Sequence, residues 1–583
     1  MSEDETTSSI NSEDLHDLRR VSGKISWISF TIAFVELCER FSYYGTTVVF
    51  TNFLQQPLPK GSTTGAGFNG QSGALGMGQR ASTGLGTFNQ FWAYLTPLFG
   101  AYIADAHLGR YKTIHVAIIV ALVGHAVLTA SAAPSVIVKP HSAIAAFAVG
   151  LIIFGIGTGL FKSNISPLLA EQQVDTKMRI ETTAKGERVI VDPAVTTSRI
   201  FLYFYMCINV GSLTGQIAMV YAEKYVGFYL SFLLPTVLFL IAPFVLLAFK
   251  KKYILSPPTG SVLSKFFRVW TTALRENWSH NSFRGQFSWD IVRPSKIPIA
   301  ERPTWMNYDD AWIEEVRRGL KACKVFLFLP LYWLAYGQMT NNLTSQAATM
   351  NLHGAPNDII QNLNPISIVI MIPIFDFLLY PALRKAHVKF TPIKRMACGF
   401  MCASAAMVAA AIIQYYIYKL SPCGKLAATC RDADDNVRFA DINVWVQAVP
   451  YVLIGISEIF TSITGLEYAF SKAPTNMRSF VMSINLLMNA FSSALAQALV
   501  ALANDPLLEW NYGVVAVLAF IGGALFWFCF HKLDRDEDKW NMLQETAYMG
   551  RRASVVEPDP EREDGVVGSA HKPNGYEKSA TGA

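Results

Sequence analysis

The sequence predicts an all-α membrane protein with about twelve spans in two sets of six. Three observations lead there. The chain has 583 residues, of which 51% are hydrophobic and 16% charged, whereas soluble domains carry about 25% charged residues. Apolar runs of about 20 residues, enough to cross a bilayer, recur along the chain. Lys and Arg concentrate in alternate connections between those runs, the pattern that sets orientation in membranes.

The runs fall near 27–54, 84–104, 113–133, 143–169, 200–222, 228–249, 323–343, 363–383, 394–418, 442–470, 479–503 and 511–531. Those at 84–104 and 363–383 are short and interrupted by Pro97 and Pro373. With the N-terminus inside, inner connections hold Arg110 and Lys112; Lys177, Arg179, Lys185 and Arg188; Lys250, Lys251 and Lys252; Arg384, Lys385, Lys389, Lys394 and Arg395; and Lys472 and Arg478. Outer connections hold fewer: Lys60, Arg80, Lys139, Lys224, Lys425, Arg431 and Arg438. Both termini are then expected in the cytoplasm.

The expected organisation is a cytoplasmic arm at 1–26, a first bundle at 27–250, a linker at 251–322, a second bundle at 323–532 and a disordered cytoplasmic tail at 533–583. Within the linker, Val262 to Trp270 sets Lys265 and Arg268 opposite Phe266, Phe267 and Trp270. That pattern suits a helix on the inner membrane surface or a loose polar linker with a local helix. The arm is polar and lacks an apolar signal-peptide core. The net charge of +6 comes from loops between spans, so no nucleic-acid partner is expected. Gly155 and Gly159, like Gly211 and Gly215, have the spacing of close helix contacts in lipid.

The eight cysteines are scattered. Cys398 and Cys402 lie one turn apart without a His or acid beside them, so packing rather than metal binding is expected. Cys423 and Cys430 sit in a polar loop and are a disulfide candidate if that loop is extracellular.

The first run carries Glu36, Glu39 and Arg40 inside a segment that otherwise reads as a span. Each such charge costs about 2.5–3.5 kcal/mol near the bilayer centre. With Tyr43 and Tyr44 they share one helical face, which must look into protein or a wet cavity. The other reading is an internal Glu36–Arg40 pair that lets the helix pack. Lys162 in the fourth run has the acidic pair Glu36 and Glu39 as its expected partner, and such titrations would be coupled. Asn209, Gln338, Asn364 and Glu458 lie in or beside other runs. An intramembrane amide is often only a helix–helix hydrogen bond of about 0.6 kcal/mol. Glu458 is harder to place that way, because a lone buried carboxyl needs a partner. Cations on one wall and a carboxylate on the other suit a zwitterion with separated ends, such as a short peptide.

These residues resemble the proton-coupled oligopeptide transporters (the POT or PTR family) of the major facilitator superfamily, most of all the fungal di- and tripeptide permeases. Glu36-Leu-Cys-Glu39-Arg40-Phe-Ser-Tyr43-Tyr44-Gly45 reproduces the first-helix ExxERFxYYG motif. Gly100 to Arg110 resembles the signature between the second and third helices, and Phe201 to Leu213 that of the fifth. Glu458, Gly465 to Tyr468 and Ala473-Pro474 resemble the tenth helix and its inner end.

The resemblance implies a major facilitator fold and a plasma-membrane symporter that imports di- and tripeptides by alternating access. It implies no enzyme, no cofactor beyond the coupling proton and a working monomer in the bilayer. Glu36, Glu39, Arg40 and Lys162 are implied to couple proton to peptide. Arg40 and Lys162 would receive the peptide carboxylate, and Glu458, Asn209 and Asn364 its amino end, with Tyr43, Tyr44, Tyr94 and Gln338 completing the pocket. The chain departs from many relatives at Thr47 and Gly337, where they carry the two partners of an outer-gate ion pair, and at Thr87, where animal members carry a histidine. The alternatives are a symporter of another small zwitterion or an anion such as nitrate, and a non-accumulating nutrient sensor on the same fold. In the tail, Arg551-Arg552-Ala-Ser554 resembles a basic-directed phosphorylation site.

Overall fold

In this computed structural model, described residues run from 18 to 533, apart from 19, 69, 174–177, 184–185, 256, 259–261, 280–286, 299–301, 304, 307, 389, 433–437 and 474–476. Residues 1–17, the tail beyond 533 with Ser554, and the loop residues Lys177, Lys185, Lys389 and Pro474 lie outside that set.

Among the described residues the chain is mainly helical. Its long helices are α1 Trp27–Val48, α2 Gly78–Ile103, α3 Arg110–Ser131, α4 Pro140–Glu171, α5 Pro193–Tyr225, α6 Phe228–Ala248, α7 Val262–Ser279, α8 Asp310–Ala347, α9 Asn357–Leu383, α10 Pro392–Leu420, α11 Val444–Leu466, α12 Arg478–Ala498 and α13 Leu508–Phe530. Pro140, Pro193 and Pro392 each open a helix, where the missing N–H costs nothing and the fixed φ is already helical. Gly109 separates α2 from α3 with φ 76°, a conformation that glycine reaches without a Cβ penalty.

Ten helices among the described residues are long and apolar enough to cross a membrane. Two more, α1 and α2, are 22 and 26 residues long but carry the charges and amides that make the first two runs polar. Lipid-facing side chains such as Phe244, Phe377 and Phe528 are 66%, 79% and 71% exposed, which water would penalise and hydrocarbon does not.

Helix pairs meet where small residues allow it. A Cβ on Gly159 would lie 1.8 Å from Thr96 Oγ1, and one on Gly155 2.6 Å from Trp92 Cδ1. The fourth helix therefore lies directly on α2. Gly211 and Gly215 bring α5 onto the α1 backbone: a Cβ on them would lie 2.6 Å from the Leu37 carbonyl oxygen and 2.5 Å from that of Phe41. In the second half, Gly455 of α11 would place a Cβ 2.1 Å from Ser367 Oγ of α9. Across the halves, α2 packs along α12.

The linker is more ordered than a loose connection. Its first helix, α7, buries Phe266, Val269 and Ala273, and the Phe266 ring sits 4.0 Å from that of Phe480 on α12. The amphipathic segment therefore docks on protein through this face, while Phe267 stays 42% exposed. Asp309 then caps the next helix, accepting from the Trp312 amide at 2.9 Å. So α8 begins within the expected linker, at Asp310, because an Asp N-cap satisfies an otherwise orphaned amide.

Among the described residues, the named strands form two short sheets. β1 (Arg20–Val21) runs parallel to β3 (Arg188–Val191), with Val21 opposite Val191, and β2 (Arg179–Thr182) runs antiparallel to β3. β4 (Met350–Asn351) pairs in parallel with β5 (Ala440–Asn443).

Hydrogen bonds between the two halves cluster at the end where α1 finishes and α9 starts. Thr51 donates to the Thr340 carbonyl at 3.2 Å, Ser345 to Gln55 at 2.6 Å and Gln71 to Asn357 at 3.0 Å. Thr83 donates to Asn342 at 3.1 Å, and Thr87 to Gln497 at 2.5 Å. The Lys224 ammonium donates to the Gly354 carbonyl. This seam closes one end of the molecule.

Candidate functional site

The α1 face is built as its spacing dictates. Arg40 Nε lies 3.1 Å from Glu36 Oε1, one turn earlier, and 2.5 Å from Glu39 Oε2. All three residues are at most 3% exposed. One guanidinium thus holds two carboxylates, and Glu36 Oε2 keeps no hydrogen-bond partner. A charge cluster with a buried, unsatisfied acceptor is a natural place for a proton.

The sequence expectation paired Lys162 directly with the glutamates. Instead its Nζ stands 3.9 Å from the Tyr94 ring centroid, within electrostatic range of Glu36 and Glu39. Arg40 is closer to both acids because it lies on their own helix. The Lys162 head, reaching from α4, meets the π-face of α2 instead, a favourable seat for a cation. The Arg40 guanidinium is 5.4 Å from the Tyr43 ring and 5.8 Å from that of Tyr44. Tyr43 also stacks on Phe154 at 5.6 Å.

The opposing wall comes from the second half. Glu458 accepts from Asn364 Nδ2 at 3.1 Å, and the Tyr336 hydroxyl is hydrogen-bonded to the same carboxyl. Glu458 is the last α-helical residue before a π-helical turn at Ile459–Ile463, a local widening of the helix common at functional sites. The two walls belong to one constellation. Tyr44 interacts electrostatically with Arg40, Lys162 and Glu458, and Tyr94 with Arg40 and Glu458. Tyr205 of α5 faces Glu458 and Tyr44 and is hydrogen-bonded to Asn209.

The structure therefore brings together Glu36, Glu39, Arg40, Tyr43, Tyr44, Tyr94, Lys162, Asn209, Asn364 and Glu458. Gln338 is engaged elsewhere. Its Oε1 accepts from Asn342 at 2.6 Å and Asn511 at 2.8 Å, and its Nε2 donates to the Leu334 carbonyl at 3.2 Å. Sequence reasoning did not single out Tyr205 and Tyr336, although both sit in quoted runs; an aromatic in an apolar helix carries no mark of where it points. It also passed over His125, whose Nε2 is 2.6 Å from Ser42 Oγ on the back of α1. Of the departures, Thr47 bonds its own helix at the Tyr43 carbonyl, 2.9 Å away, and Thr87 joins α2 to α12. Cys423 and Cys430 form a disulfide with Cα atoms 5.6 Å apart.

At the end opposite the seam, Arg110 of α3 pairs with Glu171 at the end of α4. Asp105 lies in the same turn, its carboxyl raised by burial against the opposing pull of Arg110.

The chain is similar to proteins of known kind along nearly its whole length. The PTR2 profile, described as the POT family, matches residues 111–531. A protein of Candidozyma auris named peptide transporter PTR_B is 43% identical over 531 residues, covering 91% of this chain and 87% of that protein. The peptide transporter PTR2 of Saccharomyces cerevisiae is 40% identical, covering 93% and 85%. Among solved structures, the POT family transporter PepTSo superposes with a TM-score of 0.65 at 21% identity, over 90% of this chain and 100% of that one. With the family profile matching residues 111–531 and a relative 43% identical over 91% of the chain, the chain belongs to the POT family.

Proposed function

We propose that this chain is a proton-coupled symporter that imports di- and tripeptides across the plasma membrane by alternating access, working as a monomer. The observation that carries this reading is the pair of opposed walls: Arg40 and Lys162 on α1 and α4, Glu458 on α11, with Tyr44 and Tyr94 in electrostatic range of both sides. A peptide's carboxylate and ammonium are separated by its backbone, and the two walls match that separation of charge. An anion such as nitrate would gain nothing from Glu458.

In this reading α1 and α2 join the ten apolar helices as spans, giving twelve in two bundles, 27–250 and 323–532. The sealed end is the outer one. The Lys and Arg bias puts it there, and the Cys423–Cys430 disulfide lies in a connection on that same end, as an oxidising compartment favours. Both termini are then cytoplasmic, and the structure corresponds to the outer-closed state. Helices bent or interrupted at the site are the family's way of moving one bundle against another around a fixed centre. One charge entering down 100 mV supplies about 2.3 kcal/mol, enough for well over tenfold accumulation at about 1.4 kcal/mol per tenfold.

The test is uptake of a labelled dipeptide into vesicles holding the protein, with and without an inward proton gradient. Accumulation above the outside concentration only with the gradient is expected. Binding or equilibration without accumulation overturns the symport reading in favour of a sensor or a uniporter.

A further inference from the structure

Glu223, near the end of α5, and Asp358, at the start of α9, belong to opposite halves and are 2% and 0% exposed. A single nitrogen, Asn52 Nδ2 beyond the end of α1, lies 2.9 Å from Glu223 Oε1 and 2.8 Å from Asp358 Oδ1. The two carboxyl groups are also hydrogen-bonded to each other. Yet their second oxygens, Glu223 Oε2 and Asp358 Oδ2, are buried and receive no donor from any amide or hydroxyl. Two carboxylates cannot donate to one another. A hydrogen bond between them needs a proton on one of the two.

The surroundings supply the rest of the charge count. Ser72 is hydrogen-bonded to Glu223, and Asn357 exchanges amide hydrogen bonds with Asn52 at 2.9 and 3.0 Å. The titratable groups facing the pair are Lys224, whose ammonium acts on Glu223 while donating to the Gly354 carbonyl of the other half, and Tyr451 of α11, whose hydroxyl is committed to the Met339 carbonyl at 3.2 Å. With one proton shared, the pair and Lys224 sum to zero. With both acids ionised, they carry a net negative charge inside a dry seam, which burial opposes.

We propose that Glu223 and Asp358 form a second proton site, separate from the α1 cluster, whose single shared proton latches the outer gate shut. Closure takes one proton from the outer water onto one of the two carboxyl groups, forming one O–H bond and changing the pair's charge from two to one negative. Ionisation of both sets the halves apart and admits water. The latch occupies the end of the molecule where Thr47 and Gly337 bring no charges for an ion pair, and it makes closure proton-dependent where an arginine–carboxylate pair would not.

The test is a distance measurement across the seam in lipid nanodiscs without peptide. Spin labels are attached by non-cysteine chemistry at Val138 and Leu426, which are 44% and 54% exposed in connections on the sealed end. A closure that takes up one proton loses up to about tenfold in its closed-to-open ratio per pH unit. The wild type is expected to open progressively from about pH 5 to about pH 8. Glu223→Gln and Asp358→Asn each leave a single ionisable acid and are expected to stay closed throughout. Glu509→Gln, which loses only its pairing with Lys425 on the same end, is expected to keep the wild-type response. A wild-type gate indifferent to pH overturns the proposal, and needs no variant to fold. So does a pH response that survives in both E223Q and D358N, or one that vanishes in E509Q alone. None of these outcomes bears on whether vesicles accumulate peptide, so the latch and the symport reading fail separately.

Discussion

Lys162 stands with its ammonium 3.9 Å above the ring of Tyr94, while the glutamates one helix away are both held by Arg40. The cluster is thus divided. Arg40 lies against the two glutamates of its own helix, whereas Lys162 rests on a neutral ring.

This division predicts unequal losses. Glu36→Gln, Glu39→Gln and Lys162→Ala should each abolish proton-driven accumulation, because removing one member of a buried charge set strands the others. Peptide counterflow, which needs no net proton movement, should survive better in at least one of them. Uptake and counterflow measured on the same vesicles decide it, and wild-type accumulation in all three refutes it.

On the other wall, Glu458→Gln should weaken dipeptides with a free amino end more than their N-acetylated analogues. A charge-assisted hydrogen bond contributes about 1.5–3 kcal/mol, so the difference should be about tenfold or more in competition assays. Equal loss for both ligands removes Glu458 from recognition.

Gln338 should behave as a structural residue. Gln338→Ala leaves the amides of Asn342 and Asn511 without their acceptor, and each buried unsatisfied group costs about 1–3 kcal/mol. The melting temperature in detergent should fall while KM for dipeptides stays near the wild-type value. A raised KM at unchanged stability would return Gln338 to the pocket.

The Cys423–Cys430 bond closes a short loop, with a sequence separation of 7. On the chain-entropy account, losing it costs about 2 kcal/mol. Cys423→Ser should lower the melting temperature, and a reductant should lower that of the wild type but leave the variant unchanged. Identical melting with and without reductant rules the bond out.

Truncation after about residue 535 should leave transport per molecule unchanged and alter surface abundance. A tail poor in large apolar groups has no core to contribute. Phosphorylation of Ser554 would add about −1.5 to −2 charge beside Arg551 and Arg552 and release them from anionic lipid, where each contributes about 1 kcal/mol. Turnover per molecule compared with surface labelling distinguishes the two; a sharp fall in turnover would make the tail part of the mechanism.

Much of the architecture was legible because membrane physics leaves few choices. Apolar runs fold as helices, and Gly155, Gly159, Gly211 and Gly215 mark contacts because no side chain fits there. The charges of α1 were legible too, since hydrocarbon makes them conspicuous. What the sequence did not reveal is which polar group takes which partner. Lys162 had two acids in reach on paper, and only the position of Arg40 decides that it goes to Tyr94. Gln338, read as pocket, turns out to be held by Asn511, 173 positions away. Asn52, Glu223 and Asp358 lie near run ends, where polar residues are ordinary, and only the meeting of three helices makes them a set.

The pairing of Arg20–Val21 with β3 carries a practical consequence for anyone building sensors or fusions on this scaffold. Residues just before the first helix are a sheet edge, not free leader. A fluorescent protein joined directly at Ser22 would strip Val21 from Val191 and leave the β2–β3 ribbon with an open edge, a surface that invites pairing between molecules. Joined ahead of Arg20, the same fusion keeps the ribbon covered and places its reporter beside the connection between α4 and α5, where relative movement of those two helices would be read directly.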